Sequence, residues 1–246
     1  MNPSQFVSAL EAASLPSVFN PWRDHCPIHD VENAPERRRK NLQQYLEAAV
    51  SADVRTMWIA RDLGYRGGRR TGLPLTDEVH LDSAAALLGG IALSRATEGP
   101  PVAERTAAVI WRVLARIGAP VILWNVFPFH PHVDGDPMSN RCHTRGERAD
   151  TWPLLEALVE MVRPSRIIAI GRDSSLALSE FGLETSAVRH PSYGGQTEFI
   201  SSMYELYGVA PEEPVERQLP FADNDADWRS AKLVATRQQV SDVFAG

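Results

Sequence analysis

Short apolar runs alternate along this chain with segments whose apolar residues return every three or four positions. The runs are Arg55–Ala60, Pro120–Trp124, Arg166–Gly171 and Glu184–Arg189. Each has the length of a strand and gives way to a polar or glycine-bearing loop, the signature of strands buried in a parallel sheet. Asn33-Ala34-Pro35-Glu36 opens a helix with proline in its first turn, continued by Leu42, Tyr45, Leu46 and Val50. Thr76-Asp77-Glu78 caps a second helix, rich in Ala and Leu, through residue 95. Glu104–Ile117 is amphipathic, with Val109, Val113 and Ile117 on one face, and helical patterns follow at Trp152–Val162, Asp173–Phe181 and Gln196–Tyr207. Strands alternating with helices predict a three-layer α/β/α sandwich around a central four-stranded parallel sheet.

The pattern also suggests boundaries. Residues 1–35 hold a short helical stretch around Phe6 and Leu10 and a proline-punctuated segment, Phe19-Asn20-Pro21-Trp22. They read as an N-terminal extension packed on the domain. Residues 36–208 form the α/β domain itself, and 209–246 a proline-rich, acidic C-terminal extension. The stretch from Val126 to about Asp150 has neither helical nor strand periodicity, and a loop of that length inside a compact domain is usually functional or disordered.

Composition narrows the classes. No apolar run is long enough to span a membrane, and the start lacks the basic-then-apolar order of a signal peptide. Two cysteines, Cys26 and Cys142, cannot supply a disulfide framework or a four-cysteine metal or iron–sulfur site. The cytoplasm is the expected compartment, with association to the nucleoid, and a monomer the expected state. The net charge of −6 argues against nonspecific nucleic-acid binding. Its distribution qualifies that, since acid gathers in the tail while base gathers at Arg37–Lys40, at Arg66, Arg69 and Arg70, and at Arg141, Arg145 and Arg148. The first of these basic groups reads as a solvated helix start.

Candidate chemistry stands at the strand ends, which in a parallel sheet share one edge. Asp62 follows the first strand, Asn125 the second and His190 the fourth. Taken by type alone, Asp62 would cap a turn or pair with Arg61, Asn125 would be a satisfied turn residue and His190 a hydrogen-bonded structural histidine. His130, His132 and Asp134 suggest metal ligands, but prolines interrupt them and their spacing fits no strong metal motif, so no metal and no cofactor is expected.

The order and flanks of the three loops carry more. Ala60-Arg61-Asp62-Leu63-Gly64-Tyr65-Arg66-Gly67-Gly68-Arg69-Arg70-Thr71-Gly72-Leu73-Pro74-Leu75-Thr76 resembles the first motif of the uracil-DNA glycosylase superfamily. Members read Gly-Gln-Asp-Pro-Tyr or Gly-Glu-Ala-Pro-Gly there. Leu123-Trp124-Asn125-Val126 is similar to the strand-ending asparagine motif, and His190-Pro191-Ser192-Tyr193 resembles the closing His-Pro-Ser motif. The resemblance spans roughly residues 36–207. There are departures: Ala60 and Leu63 replace the usual glycine and proline, Arg61 stands where Gln or Glu is expected, and Gly64 stands where the classical branch has its thymine-excluding tyrosine. Leu75 replaces the aromatic that stacks on the base, and Gly194 the frequent leucine wedge. With two cysteines the chain looks like an outlying member without an iron–sulfur cluster.

The resemblance implies a monofunctional glycosylase that hydrolyses the N-glycosidic bond of uracil in DNA, single- or double-stranded, and leaves an abasic site. Asp62 would orient the attacking water and support the cationic sugar; His190 would donate to the pyrimidine O2 as negative charge develops. Asn125 would accept from N3–H and donate to O4, separating uracil from cytosine. Gly64, Tyr65, Leu75 and Phe127 would wall the pocket for a flipped base, Phe127 serving as the substitute stacking ring. Arg66, Gly67, Gly68, Arg69, Arg145, Ser192 and Tyr193 would hold the DNA backbone. Alternatives are a glycosylase or damage-binding protein directed at another lesion such as hypoxanthine or xanthine, a nucleotide-binding α/β hydrolase without the expected motifs, or a non-catalytic interaction protein.

Overall fold

A computed structural model describes residues 1–210. The acidic C-terminal extension falls, after its first two residues, outside the described residues.

Asn2 opens α1 (Pro3–Ala12) with a capping box: its side chain accepts from the Gln5 N–H, and the Gln5 side chain accepts from its own N–H. After β1 (Val18–Phe19) comes α2 (Ala34–Ser51), then β2 (Thr56–Ala60), the single-turn α3 (Gly68–Thr71), a 3-10 turn at Glu78–His80 and α4 (Leu81–Leu87). α5 (Arg105–Ile117), β3 (Ile122–Asn125) and β4 (His130–Pro131) follow. The described chain ends with α6 (Arg145–Val162), β5 (Arg166–Ile170), α7 (Arg172–Glu180), β6 (Ser186–Val188) and α8 (Gln196–Tyr207).

The main sheet is four-stranded and parallel, in the order β3-β2-β5-β6. Every residue of β3 is buried, as are all but the first of β2 and β5, so the sheet is covered on both faces and the fold is the expected three-layer α/β/α sandwich. The chain passes from β2 out to β3 on one side and then crosses to β5 on the other. The strand order therefore reverses beside β2, and such a switch point opens a crevice at the carboxyl ends of the strands.

The first residues of the chain are part of this core. Phe6 and Leu10 are fully buried, the Phe6 ring lies 5.6 Å from the Trp124 ring of β3, and Trp22 stacks on Trp124. β1 pairs antiparallel with β4, so the N-terminal segment and the 126–144 stretch hold one another. Phe6→Ala is accordingly expected to cost about 3–5 kcal/mol of stability, read as a lower urea midpoint, because neighbouring rings cannot close the void. A change below about 1 kcal/mol would place α1 outside the cooperative unit.

Several elements differ from the sequence pattern. α4 stops at Leu87 rather than 95 because Gly89 and Gly90 both take positive φ and end the helix. α6 starts at Arg145, several residues ahead of Trp152, through a capping box between Thr144 and Glu147 that the irregular apolar pattern hid. Arg38, expected in solvent, is fully buried: it donates to the Arg70 carbonyl at 3.0 Å and pairs with Asp30. Among the described residues no helix is long and apolar enough to cross a membrane.

Candidate active site

A cavity of about 480 Å³ lies at the carboxyl ends of the strands. The segment after β2 lines it with Arg61, Asp62 and Gly64, the segment after β5 with Gly171 and Asp173, and the segment after β6 with His190 and Ser192. Sheet geometry does the positioning: β2 pairs with both β3 and β5, so the loops that leave these strands converge. The Asn125 side chain reinforces this by donating through Nδ2 to the Asp62 carbonyl at 3.1 Å.

Asp62 is held at both oxygens. Arg61 Nε reaches Oδ2 at 2.6 Å, and His143 Nδ1 is bonded to Oδ1. Arg61 also spans to Asp173 at 2.6 Å, which fixes the guanidinium between the β2 and β5 loops. His143 is nearly buried and its ring rests on Phe127, 5.2 Å between centroids. This histidine went unnoticed in the sequence because its partner lies 81 positions away in an irregular stretch. Its flanks, Arg141 and Thr144–Glu147, are pinned by the Arg141–Glu147 ion pair and the helix cap, so the ring is presented from an ordered segment.

His190 has its pKa lowered, first by burial and next by Arg61, with Asp173 opposing; it is therefore neutral at pH 7. Its Nδ1 accepts from the Ser192 N–H at 3.2 Å. A neutral ring that accepts at Nδ1 carries its proton on Nε2, so it has a donor to offer. Gly171 has φ +93°, and a Cβ there would stand 3.1 Å from His190 Cβ, so a side chain at that position would push the histidine out of place.

The expected site residues divide. Asp62, Gly64, Gly68, Leu75, His190, Ser192 and Tyr193 line the cavity. Tyr193 stands fully exposed at its rim with φ +53°. Leu75 is also held at positive φ, +55°, with its side chain packed in the core. Tyr65 is half-buried outside the lining, its N–H bonded to Asn140. Asn125, expected to read the base, is fully buried outside the cavity lining, and its Oδ1 has no hydrogen-bond partner among the described residues.

The remaining expectations need correction. Phe127 is fully buried against Phe129 and His143; as part of the floor beneath His143 it cannot stack on a base entering the cavity. Arg69 is buried too. Its guanidinium lies 3.9 Å from the Phe19 ring centroid and bonds His130 Nδ1 at 3.0 Å and the Pro137 carbonyl, so it is held in the interior rather than presented to a phosphate. Arg70 is buried in an ion pair with Glu78 at 3.0 Å. Gly67 and Gly68 form no open cradle, since a Cβ on the first would strike Glu104 and one on the second Leu63. Arg66 is exposed beside the site, bonded to the Ala103 carbonyl, whereas Arg145 borders a different depression with Arg148 and Trp152.

His130 and His132 are likewise occupied. Burial and Arg69 pull the His130 pKa down to about 3, and both its nitrogens are bonded; His132 bonds the Val133 carbonyl. Among the described residues no three His, Cys, Asp or Glu side chains converge as a metal site. Glu104, expected only as the first residue of a helix, lines the cavity beside Gly64.

No protein-family model and no curated protein matches the chain. Among solved structures it is similar to the crystal structure of wild-type SMUG2 from Pedobacter heparinus, with a TM-score of 0.59 and 14% identity, over 85% of this chain and 97% of that one. A likeness at that identity is one of architecture: the chain shares the fold of Pedobacter heparinus SMUG2.

Proposed function

We propose that this protein is a DNA glycosylase of the uracil-DNA glycosylase superfamily, which releases uracil from DNA by hydrolysis and leaves an abasic site. The observation that carries the reading is the convergence of Asp62 and His190 on one cavity at the switch point of the sheet. The fold shared with SMUG2 and the three motifs support it from independent directions.

Cleaving the bond between C1′ and N1 generates positive charge on the sugar and negative charge on the base. Asp62, fixed by Arg61 and His143, supplies the negative charge that favours the first and a carboxylate that takes a proton from the attacking water. His190 offers its Nε2–H to a carbonyl oxygen of the departing base and needs no net charge to do so. Asn125, expected to read the base, stands outside the cavity lining with its Oδ1 unpartnered among the described residues, and the reading does not rest on it. Tyr193, exposed at the rim, is the side chain placed to fill the space a flipped base vacates.

The test is purified protein against labelled single- and double-stranded oligonucleotides carrying one uracil, in EDTA, with alkali to reveal abasic sites. Strand breakage at the uracil is the expected result. Intact strands after prolonged incubation with folded protein would overturn the reading.

A further inference from the structure

Arg61 leaves β2 directly before Asp62, and both line the cavity. Its guanidinium is stretched between two carboxylates: Nε donates to Asp62 Oδ2 and Nη1 to Asp173 Oδ2, each at 2.6 Å. These bonds use two of the five N–H groups that a guanidinium carries, and the side chain keeps 38% of its surface exposed, so donors remain for a guest. His190 belongs to the far end of this bridge. It packs against Gly171, two residues before Asp173, where an added Cβ would lie 3.1 Å from its own. Arg61 thus links the Asp62 carboxylate to the end of the cavity where His190 sits. The superfamily motif has Gln or Glu at this position, so the positive charge is no part of the resemblance.

The two ion pairs differ in surroundings. Asp173 is 60% exposed and its charge is screened by water, whereas the Asp62 side chain is only 7% exposed. The enclosed pair therefore acts as a fixed dipole, negative at Asp62 and positive toward His190. Burial works against the charge on Arg61, but Asp62 and the bonds to both carboxylates outweigh it and raise the pKa, so the guanidinium stays charged. Heterolysis of an N-glycosidic bond separates charge in the matching sense, positive on the sugar and negative on the base. A dipole already aligned with charge that appears only as the bond breaks needs no reorganisation at that moment. Removing two charges from water is costly, and an aligned transition state is what offsets it.

We propose that Arg61 stabilises the departing base, its guanidinium meeting the negative charge that builds on a base carbonyl while Asp62 meets the positive charge on the sugar. This rests on the glycosylase reading and adds a residue to its chemistry. The C1′–N1 bond breaks with its electron pair passing into the base ring. Water bonds to C1′ through oxygen and yields a proton to Asp62, which returns it to solvent. The base leaves as an anion between Arg61 and His190 and takes a proton from solvent once free.

Single-turnover release of uracil and of 5-fluorouracil from otherwise identical oligonucleotides tests this, because fluorine lets the departing base carry negative charge with less help. Arg61→Gln, which keeps a donor but no charge, should slow uracil release about 100-fold and 5-fluorouracil release about tenfold or less. A residue that merely held Asp62 in place would slow both bases by the same factor. That result overturns the proposal, as does uracil release within about threefold of wild type in the glutamine variant. Arg61→Lys keeps the charge but cannot bridge both carboxylates, and should hold uracil release within about tenfold of wild type. A lysine variant slowed about 100-fold on both bases overturns the proposal whether or not the glutamine variant folds. Equal slowing of the two bases leaves the glycosylase reading standing, while release of neither base by the wild-type protein overturns both.

Discussion

Asp62→Asn should slow uracil release by about 1,000-fold while binding of uracil-containing DNA stays within about threefold of wild type. The substitution preserves shape and one oxygen, so what it removes is the negative charge beside the developing sugar cation and the acceptor for the water proton. It also removes the counter-charge of Arg61 and the carboxylate oxygen that faces His143. Arg61 remains tied to Asp173, and the Asp62 backbone remains tied to Asn125, so the loop should keep its course. Single-turnover rates give the first quantity and fluorescence anisotropy with labelled DNA carrying a non-hydrolysable 2′-fluoro-deoxyuridine gives the second. Equal losses in the two would make Asp62 a scaffold residue, held by its ion pairs for the sake of the loop. A loss confined to the rate assigns it to the chemistry, and gives His143 its purpose: a ring seated on Phe127 that aims one carboxylate oxygen.

The sheet and its active edge were legible in the sequence because both depend on local pattern. β2, β3, β5 and β6 fall within two or three residues of the apolar runs, and α8 coincides with its periodic stretch. Parallel pairing then sends Asp62 and His190 to one edge without further information. The arginines were misread for a reason of the same kind. Arg69 and Arg70 sit in a glycine-rich turn where no period distinguishes inward from outward, and their partners, His130, Pro137 and Glu78, come from segments the local pattern does not connect to it. Buried charge in this protein serves to fasten irregular segments: Arg38 to Asp30, Arg70 to Glu78, Arg69 to β4. Glu104 left one weak trace, an acidic residue at a helix start where Ser, Thr, Asp or Asn would cap better. Its consequence emerges only when Gly64 and Gly67 are seen to make room for it.

His190→Ala should cost about 100- to 1,000-fold in uracil release, the range for loss of a single aligned donor to a developing oxyanion. The argument rests on the tautomer. The Ser192 N–H occupies Nδ1, burial and Arg61 keep the ring neutral, and the proton on Nε2 is then directed away from the backbone that holds the ring. Because the lowered pKa puts ring protonation well to the acid side, wild-type uracil release should not change through titration of this group above neutrality; a rate that dropped there would have to be traced to another residue. His190→Gln should recover part of the loss, since an amide can place an N–H in the same direction, whereas a side chain that merely filled space would make Ala and Gln equally poor. Retention of the wild-type rate within about threefold by His190→Ala would mean that negative charge on the base is met elsewhere. Other donors that line the cavity, Arg61 and Ser192 among them, would then be the groups to test.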